Sequence, residues 1–218
     1  MELYQDIKGE KLQRLFEFLD SVSDKISIER YCTERIPEEE FERVQKEYKE
    51  HILEADKRRR NEYIANKNCI KRTLEISLGI NSDEKAKNYF DELLEQELEI
   101  LNSVENDGEE TKINEIKEDV IARKYTRITP TTEGPIMQQY YIKIGKLLRS
   151  IEEQMTSLFS FPYIINDEAY ENLTFYKGDK VIFTICSHEE YACVIVDDAQ
   201  KKELKKIGIK LEHEESER

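Results

Sequence analysis

Two cysteines and a histidine lie close together near the C-terminal end of the sequence. Cys186 and Cys193 flank a short turn that contains His188. In a hairpin closed by that turn, Cys186 pairs with Tyr191 and Thr184 pairs with Cys193, so both thiols share one face as diagonal neighbours. Thiolate and imidazole groups bind zinc, but a structural zinc site takes four ligands and the sequence shows no fourth. We therefore predict thiols that pack as small apolar groups, with no metal and no cofactor.

The remaining cysteines and histidines form no recognisable catalytic motif. His51 lies in a long helical segment, and His213 lies in a charged C-terminal tail. A Cys32 or Cys69 nucleophile with His51 as its base stays open, because separation along the chain does not exclude it. Neither a nucleophile elbow nor a glycine-rich phosphate loop is present. An enzyme with a site near His188 and the C-terminal strands is therefore kept as one functional hypothesis.

Acidic residues dominate the charge of the chain. Asp and Glu number 48 against 34 Lys and Arg, which gives a formal net charge of −14. Because phosphate groups need a positive field, binding to nucleic acid or to an anionic membrane surface is not expected. The carboxylates concentrate between Asp83 and Asp119. Within this segment Glu92, Glu95 and Glu99 fall on the outer face of a predicted helix, and they are the candidate partner-binding residues.

Basic residues form two separate groups, at Lys57–Arg60 and at Arg123–Arg149. One interpretation is that basic and acidic faces neutralise each other within the fold, or are simply solvated. The other is that the acidic surface faces a cationic partner, in which case charge complementarity raises association rate and specificity.

The segments that carry these residues are mainly helical. Apolar residues at helical spacing predict helices over about 8–20, 38–56, 83–104 and 135–159, the last of them central to the core. No Gly or Pro lies between Pro37 and Gly79, but the apolar seam is interrupted at Lys57–Arg60. We therefore predict a break or a change of packing partner at 57–62.

The segment Leu173–Val196 contains the clearest β-structure. Three short runs of β-branched and aromatic residues, separated by turns, predict a three-stranded antiparallel meander. A short helix closed by Gly208 follows, and Ile121–Ile128 is either a strand or an extended arm. The predicted fold class is α+β, predominantly α: an elongated helical body with a small C-terminal three-stranded antiparallel meander followed by a short helix. The corresponding domains are residues 1–159, 160–211 and a charged tail at 212–218.

The N-terminus lacks the apolar run of a signal peptide, and no stretch approaches the ~20 apolar residues of a membrane span. This predicts a cytoplasmic protein with reduced thiols and no membrane partner.

The favoured function is a non-catalytic intracellular protein-binding module, of the inhibitor or immunity type, whose acidic surface meets a basic protein. The alternative is a subunit of a larger assembly that uses its long helices as an obligate interface, with a homo-oligomer left open.

Overall fold

The computed structural model describes residues 1–32, 34–106, 116–117, 119–128, 136–160 and 162–211, with the backbone alone for 127 and 128. The helices in these ranges are α1 Glu10–Val22, α2 Glu38–Ala65, α3 Lys67–Leu78, α4 Asp83–Asn102, α5 Lys146–Gln154 and α6 Asp198–Ile207. The strands are β1 Glu2–Leu3, β2 Lys25–Cys32, β3 Val120–Ile128, β4 Ile136–Lys143, β5 Tyr163–Ile165, β6 Glu168–Lys177, β7 Lys180–Cys186 and β8 Tyr191–Val194. Within the described ranges, none of these helices combines the length and the apolar content that crossing a bilayer demands.

All the described strands belong to one antiparallel sheet, in the order β1-β8-β7-β6-β2-β4-β3, with β5 paired to β6 outside that path. The predicted small C-terminal meander is therefore wrong, because β6, β7 and β8 are three neighbours within a sheet of eight described strands. The predicted hairpin register is confirmed: Cys186 pairs with Tyr191 and Thr184 with Cys193. Fold class is thus α+β with a large sheet, rather than a helical body with a β-appendage.

The predicted central helix over 135–159 is also wrong. Its first half is strand β4, and only Lys146–Gln154 is helical. In β4 both Ile136 and Met137 are buried, as is Tyr140, so the strand lacks the alternation of a half-exposed strand. The apolar residues of this segment have helical spacing because the buried residues of β4 are followed directly in the sequence by the buried face of α5.

Asp119 fixes the start of α5. Its carboxylate accepts hydrogen bonds from the backbone N–H groups of Lys146 and Leu147, in the first turn of the helix. It also forms a 3.2 Å ion pair with Lys143 at the end of β4. This ion pair, followed by the backbone bonds, lowers the pKa of Asp119. A carboxylate there offsets the unpaired N–H groups of a helix that has no capping side chain of its own.

The break predicted at 57–62 is absent, since α2 continues to Ala65 and α3 begins one residue after Asn66. The apolar contacts do change across this stretch. Ile52 packs in one apolar cluster with residues of α4 and the β2 end, whereas Tyr63 packs in another with Phe90. A helix can thus keep its backbone hydrogen bonds while its buried face moves from one cluster to the next.

The chain divides into two compact units. Unit 1 is bounded by Met1–Arg30, Lys112–Lys124 and Gln138–Arg218, and unit 2 by Tyr31–Thr111 and Tyr125–Met137. The core of unit 1 combines α1, α5 and α6 with the sheet; its buried residues include Leu15, Leu19, Ile26, Ile28, Tyr140, Leu148, Ile151, Phe175, Phe183, Ile185 and Leu204. In unit 2, α2 packs against α4, and α3 has no buried residue.

Other local predictions are confirmed. Helix α1 occupies the first helical segment, and α4 begins after Ser82, whose hydroxyl accepts from the Lys85 N–H at 3.2 Å. Asp197 caps α6, and Gly208 ends it in the left-handed conformation that glycine adopts most readily. The predicted tail at 212–218 lies outside the described residues.

Candidate functional site

From Asp91 to Glu99, the acidic residues of α4 divide into two that pair with arginines of α2 and three that form no ion pair among the described residues. On the side toward α2, Glu97 accepts two hydrogen bonds of 2.7 Å from the guanidinium of Arg59. Asp91 pairs with Arg60 at 2.9 Å. Two arginines of α2 therefore neutralise two carboxylates of α4. For these residues, basic and acidic groups pair within the fold, which is one of the two interpretations given above.

The predicted partner-binding residues lie on the side of α4 opposite Glu97. Glu92, Glu95 and Glu99 are all exposed, and their spacing of three and four residues places them on one face of the helix. Among the described residues none of the three forms an ion pair. We call these three side chains the acidic face. Close by in the sequence, Ile100 is an apolar residue with half of its surface exposed.

A second candidate is a cleft between α1 and α5, both in unit 1. Its volume is about 890 Å³. The lining is mixed, because apolar side chains such as Phe16 and Met155 stand beside Asp20, Arg149 and Glu152. Pockets that mix apolar walls with a few convergent polar groups are the usual setting for ligand binding. We call it the α1–α5 cleft.

Two carboxyl groups of the cleft have unusual protonation. Burial raises the pKa of Glu152 to about 7, and the negative charge of Asp20 adds to the effect while Arg149 opposes it. Burial also raises the pKa of Asp20, again against the charge of Arg149. Oδ1 of Asp20 and Oε1 of Glu152 are buried without a hydrogen-bond partner in the described part of the chain. Near neutral pH, Glu152 is thus poised to give or accept a proton.

The third candidate is the turn between β7 and β8. The Sγ atom of Cys186 lies 3.9 Å from Nε2 of His188, and Nδ1 of His188 lies 3.0 Å from Oε2 of Glu171. A carboxylate oxygen of Glu189 lies within 4.8 Å of the thiol and the imidazole. We call Cys186, His188 and Glu189 the hairpin cluster. Cys193, which we predicted as the neighbour of this thiol, does not belong to it.

The thiol of Cys186 is held protonated. Burial raises its pKa, and the negative charge of Glu189 raises it further. A nucleophilic cysteine needs the opposite surroundings, because the thiolate is the reactive form. The Cys186–His188–Glu171 arrangement therefore differs in its electrostatics from a cysteine–histidine catalytic pair.

The remaining predicted candidates show no shared site. Cys32 is buried in an apolar cluster of unit 2, while Cys69 is exposed on α3. His51 is exposed on α2 and stacks on Tyr48, with ring centroids 5.9 Å apart. His213 lies outside the described residues. These positions give no support to a nucleophile pair built on His51.

Sequence reasoning missed Asp20, Glu152, Glu171 and Glu189. Asp20 and Glu152 lie on helices far apart in the chain, so only tertiary packing brings them together. The His188–Glu189 dipeptide next to Cys186 was a local signal that the turn could hold three ligating groups. The chain matches no family model, and comparison with curated proteins and with solved structures gives no match either.

Proposed function

We propose that this chain is a non-catalytic, cytoplasmic protein-binding module whose acidic face contacts a basic protein. The observation that carries this proposal is the division of charge on α4. Asp91 and Glu97 are paired with arginines of α2, whereas Glu92, Glu95 and Glu99 stand exposed with no ion pair among the described residues. Between Asp91 and Glu99 of α4, the carboxylates without an ion pair thus all lie on one helix face.

Three carboxylates on one face produce a negative local potential, and a chain of net charge −14 reinforces it. Such a field accelerates encounter with a cationic surface and selects against acidic partners. Exposed charges contribute modest affinity, so a tight complex also needs apolar anchors. Ile100, half exposed and one residue after Glu99, is an apolar side chain on the same helix that is available for such a contact.

The test begins with capture of a partner from lysate at low and at high salt, followed by affinity measurement with the purified partner. The variant Glu92→Lys/Glu95→Lys/Glu99→Lys should weaken binding at least tenfold and flatten its dependence on salt. A matched variant on exposed carboxylates of α2, Glu39→Lys/Glu42→Lys/Glu50→Lys, makes the same change in net charge and should have much less effect.

Equal losses in the two triple variants would show that only net charge matters and would refute the acidic face as a binding surface. A stoichiometric partner that resists high salt would favour the assembly-subunit alternative instead. That alternative has its own support in unit 2, where Ile64, Ile76 and Leu78 are exposed apolar side chains.

A second candidate function is acid–base catalysis on a small polar molecule in the α1–α5 cleft. It is favoured by one specific observation, the pair of buried and unpartnered carboxyl oxygens of Asp20 and Glu152 in a mixed apolar and polar pocket. Perturbed carboxyl groups of this kind occur at catalytic sites, although structural sites perturb them too. A small-molecule screen read by the NMR signals of the Glu152 carboxyl, repeated with Glu152→Gln, tests it; absence of any ligand that contacts the cleft would refute it.

A further inference from the structure

The turn between β7 and β8 brings together three side chains that are common metal ligands. The Sγ atom of Cys186, a ring nitrogen of His188 and a carboxylate oxygen of Glu189 all lie within 4.8 Å of one another. The Cys186 Sγ–His188 Nε2 distance is 3.9 Å. Around a tetrahedral zinc ion the sulfur and nitrogen ligands lie about 3.6 Å apart, given Zn–S near 2.3 Å and Zn–N near 2.0–2.1 Å. A side-chain adjustment of a few tenths of an ångström would bring both groups into the metal's first coordination sphere.

The backbone that carries the hairpin cluster is held in a defined conformation. Residues Ser187–Glu189 form a single 3-10 turn, and Glu190 adopts a left-handed conformation with φ 54°. The buried hydroxyl of Ser187 forms a 3.2 Å hydrogen bond with the phenol of Tyr163 on β5. Burial raises the pKa of Tyr163 to about 12, so the phenol stays neutral. The turn is thus attached to the sheet at its first residue, and the ligating side chains project from a fixed base.

Glu171 on β6 orients the imidazole. Its side chain is 4% exposed, and Oε2 accepts a hydrogen bond from Nδ1 of His188 at 3.0 Å. In the neutral imidazole, a proton on Nδ1 satisfies this bond and leaves the lone pair on Nε2, the ring nitrogen 3.9 Å from the thiol. Histidine ligands of metals use this arrangement, in which a carboxylate binds the distal ring nitrogen and raises the basicity of the other. Glu171 lies on another strand and is not a member of the hairpin cluster, so its contact with His188 supports the site separately from the three ligands.

The charges around the cluster suit a cation. Glu189 places a carboxylate beside the thiol, which disfavours a free thiolate in the same space. A divalent cation would neutralise the thiolate and the carboxylate together. The mixture of thiolate, imidazole and carboxylate matches zinc better than calcium or magnesium, which bind oxygen ligands. Since His188 and Glu189 are exposed, the site is open to solvent and a water molecule can complete the coordination.

We propose that Cys186, His188 and Glu189 form a three-ligand site for a divalent cation of the zinc class, with Glu171 positioning His188 and water as the fourth ligand. Binding releases the proton of the Cys186 thiol to solvent, so affinity increases as pH rises. A site with three protein ligands and one exchangeable water has the coordination of catalytic and regulatory zinc rather than that of a closed structural site. This proposal is independent of the function proposed for the acidic face.

The experiment uses the full chain without a histidine tag, reduced and freed of metal by a chelator. Cobalt(II) is added as a spectroscopic probe, and zinc is then added in competition. We expect one cobalt per chain, with thiolate-to-cobalt charge-transfer absorption in the near ultraviolet and the strong visible bands of a tetrahedral ion. Titration of zinc by calorimetry in two buffers of different ionisation enthalpy should show proton release.

Four variants separate the proposed ligands from their neighbours. Cys186→Ser should abolish the charge-transfer band, and His188→Gln should weaken zinc binding at least tenfold. Glu171→Gln should keep the one-to-one stoichiometry while weakening affinity by about 10–100-fold, as expected for loss of a carboxylate behind a histidine ligand. Cys193→Ser is the matched control, because this thiol lies on the same hairpin outside the cluster, and it should leave binding unchanged. Circular dichroism confirms folding of each variant.

Two results would overturn the proposal. The first is an absence of cobalt charge-transfer absorption in the folded wild-type chain at micromolar to millimolar metal. The second is a band that persists in Cys186→Ser and disappears in Cys193→Ser or Cys69→Ser, which would assign the thiolate ligand elsewhere.

Discussion

Arg59 on α2 binds Glu97 on α4 through two parallel hydrogen bonds of 2.7 Å, one from each terminal nitrogen to each carboxylate oxygen. The pair stands where the apolar seam of α2 is interrupted, in the stretch where the sequence predicted a break. Both side chains are about 30% exposed, so the geometry rather than deep burial makes this contact favourable. Arg59 thus links the two helices at a point where α2 offers no apolar side chain to its seam.

Replacing Arg59 by lysine should therefore destabilise unit 2 although charge is conserved. A lysine ammonium cannot form the planar two-bond contact, and we expect a loss of about 1 kcal/mol in the free energy of unfolding. Urea unfolding followed by circular dichroism measures it. The control is Arg58→Lys, an exposed arginine one residue earlier in α2, which should change stability by less than about 0.5 kcal/mol. Equal effects in both variants would contradict a specific role for the Arg59–Glu97 pair.

Glu152 should make the stability of the protein fall between acidic and neutral pH. Burial, followed by the charge of Asp20, raises its pKa from 4.5 to about 7 in the folded chain, so the folded state binds more protons than the unfolded state in that interval. Stability from this group is therefore complete below about pH 4 and is lost as pH rises through about 7.

Glu152→Gln removes that dependence, because glutamine does not ionise. Relative to wild type, the variant should gain about 1 kcal/mol of stability between pH 5 and pH 8, a figure reduced for the partial exposure of the site. Guanidinium unfolding at four pH values across this range measures the difference. Glu42→Gln, on an exposed residue of α2 outside the cleft, is the control and should follow the wild-type curve. A constant difference between Glu152→Gln and wild type at every pH would contradict the raised pKa.

The strands that could be predicted from the sequence and those that could not differ in their pattern of burial. In β6–β8 the runs of β-branched and aromatic residues are separated by turn residues, so both the strands and the Thr184–Cys193 register follow from local rules. In β2 five of eight residues are buried, and in β4 five of eight are buried as well; in each strand three buried residues are consecutive, which obscures the alternation that marks a strand. The apolar residues of β4 then continue into α5 at helical spacing, which explains the false long helix.

The candidate sites differ in the same way: residues on one helix could be grouped from the sequence, whereas residues on different elements could not. Glu92, Glu95 and Glu99 could be placed together because helical periodicity alone puts them on one face. The pairing of Asp20 with Glu152 could not, since it depends on how α1 packs against α5. Glu171 lies one strand away from His188 across the sheet, and its role became visible only when the pairing of β6 with β7 was known.

The two carboxyl groups of the α1–α5 cleft should respond to each other's charge. Asp20→Asn removes the negative charge that raises the pKa of Glu152, so that pKa should fall; Arg149→Gln removes a charge that lowers it, so that pKa should rise. Carbon-13 NMR titration of the Glu152 carboxyl measures both shifts. Asp24→Asn, at the far end of the α1–β2 connection and exposed, serves as the control. Shifts of the same sign in Asp20→Asn and Arg149→Gln would contradict the electrostatic origin.

Gln138 on β4 should be essential to a buried polar network in unit 1. Its Oε1 accepts a 3.0 Å hydrogen bond from Nε of Arg30 and a 2.7 Å hydrogen bond from the phenol of Tyr140, and all three residues are buried. Gln138→Leu removes the acceptor while both donors stay in the core. We expect a loss of about 2–4 kcal/mol in the free energy of unfolding, because a buried charged donor that loses an acceptor costs more than an exposed one.

Two further variants separate the acceptor from the volume of the side chain. Tyr140→Phe removes one donor and leaves Arg30 bonded, so it should cost about 1 kcal/mol. Gln138→Glu keeps the acceptor and adds a charge opposite Arg30, so it should recover most of the stability that Gln138→Leu loses at neutral pH and lose it again as the carboxyl is protonated. Chemical unfolding at pH 7 and pH 4 gives both comparisons. If Gln138→Glu were as unstable as Gln138→Leu at pH 7, acceptance of the two hydrogen bonds by Oε1 would not be what Gln138 supplies to this part of the sheet.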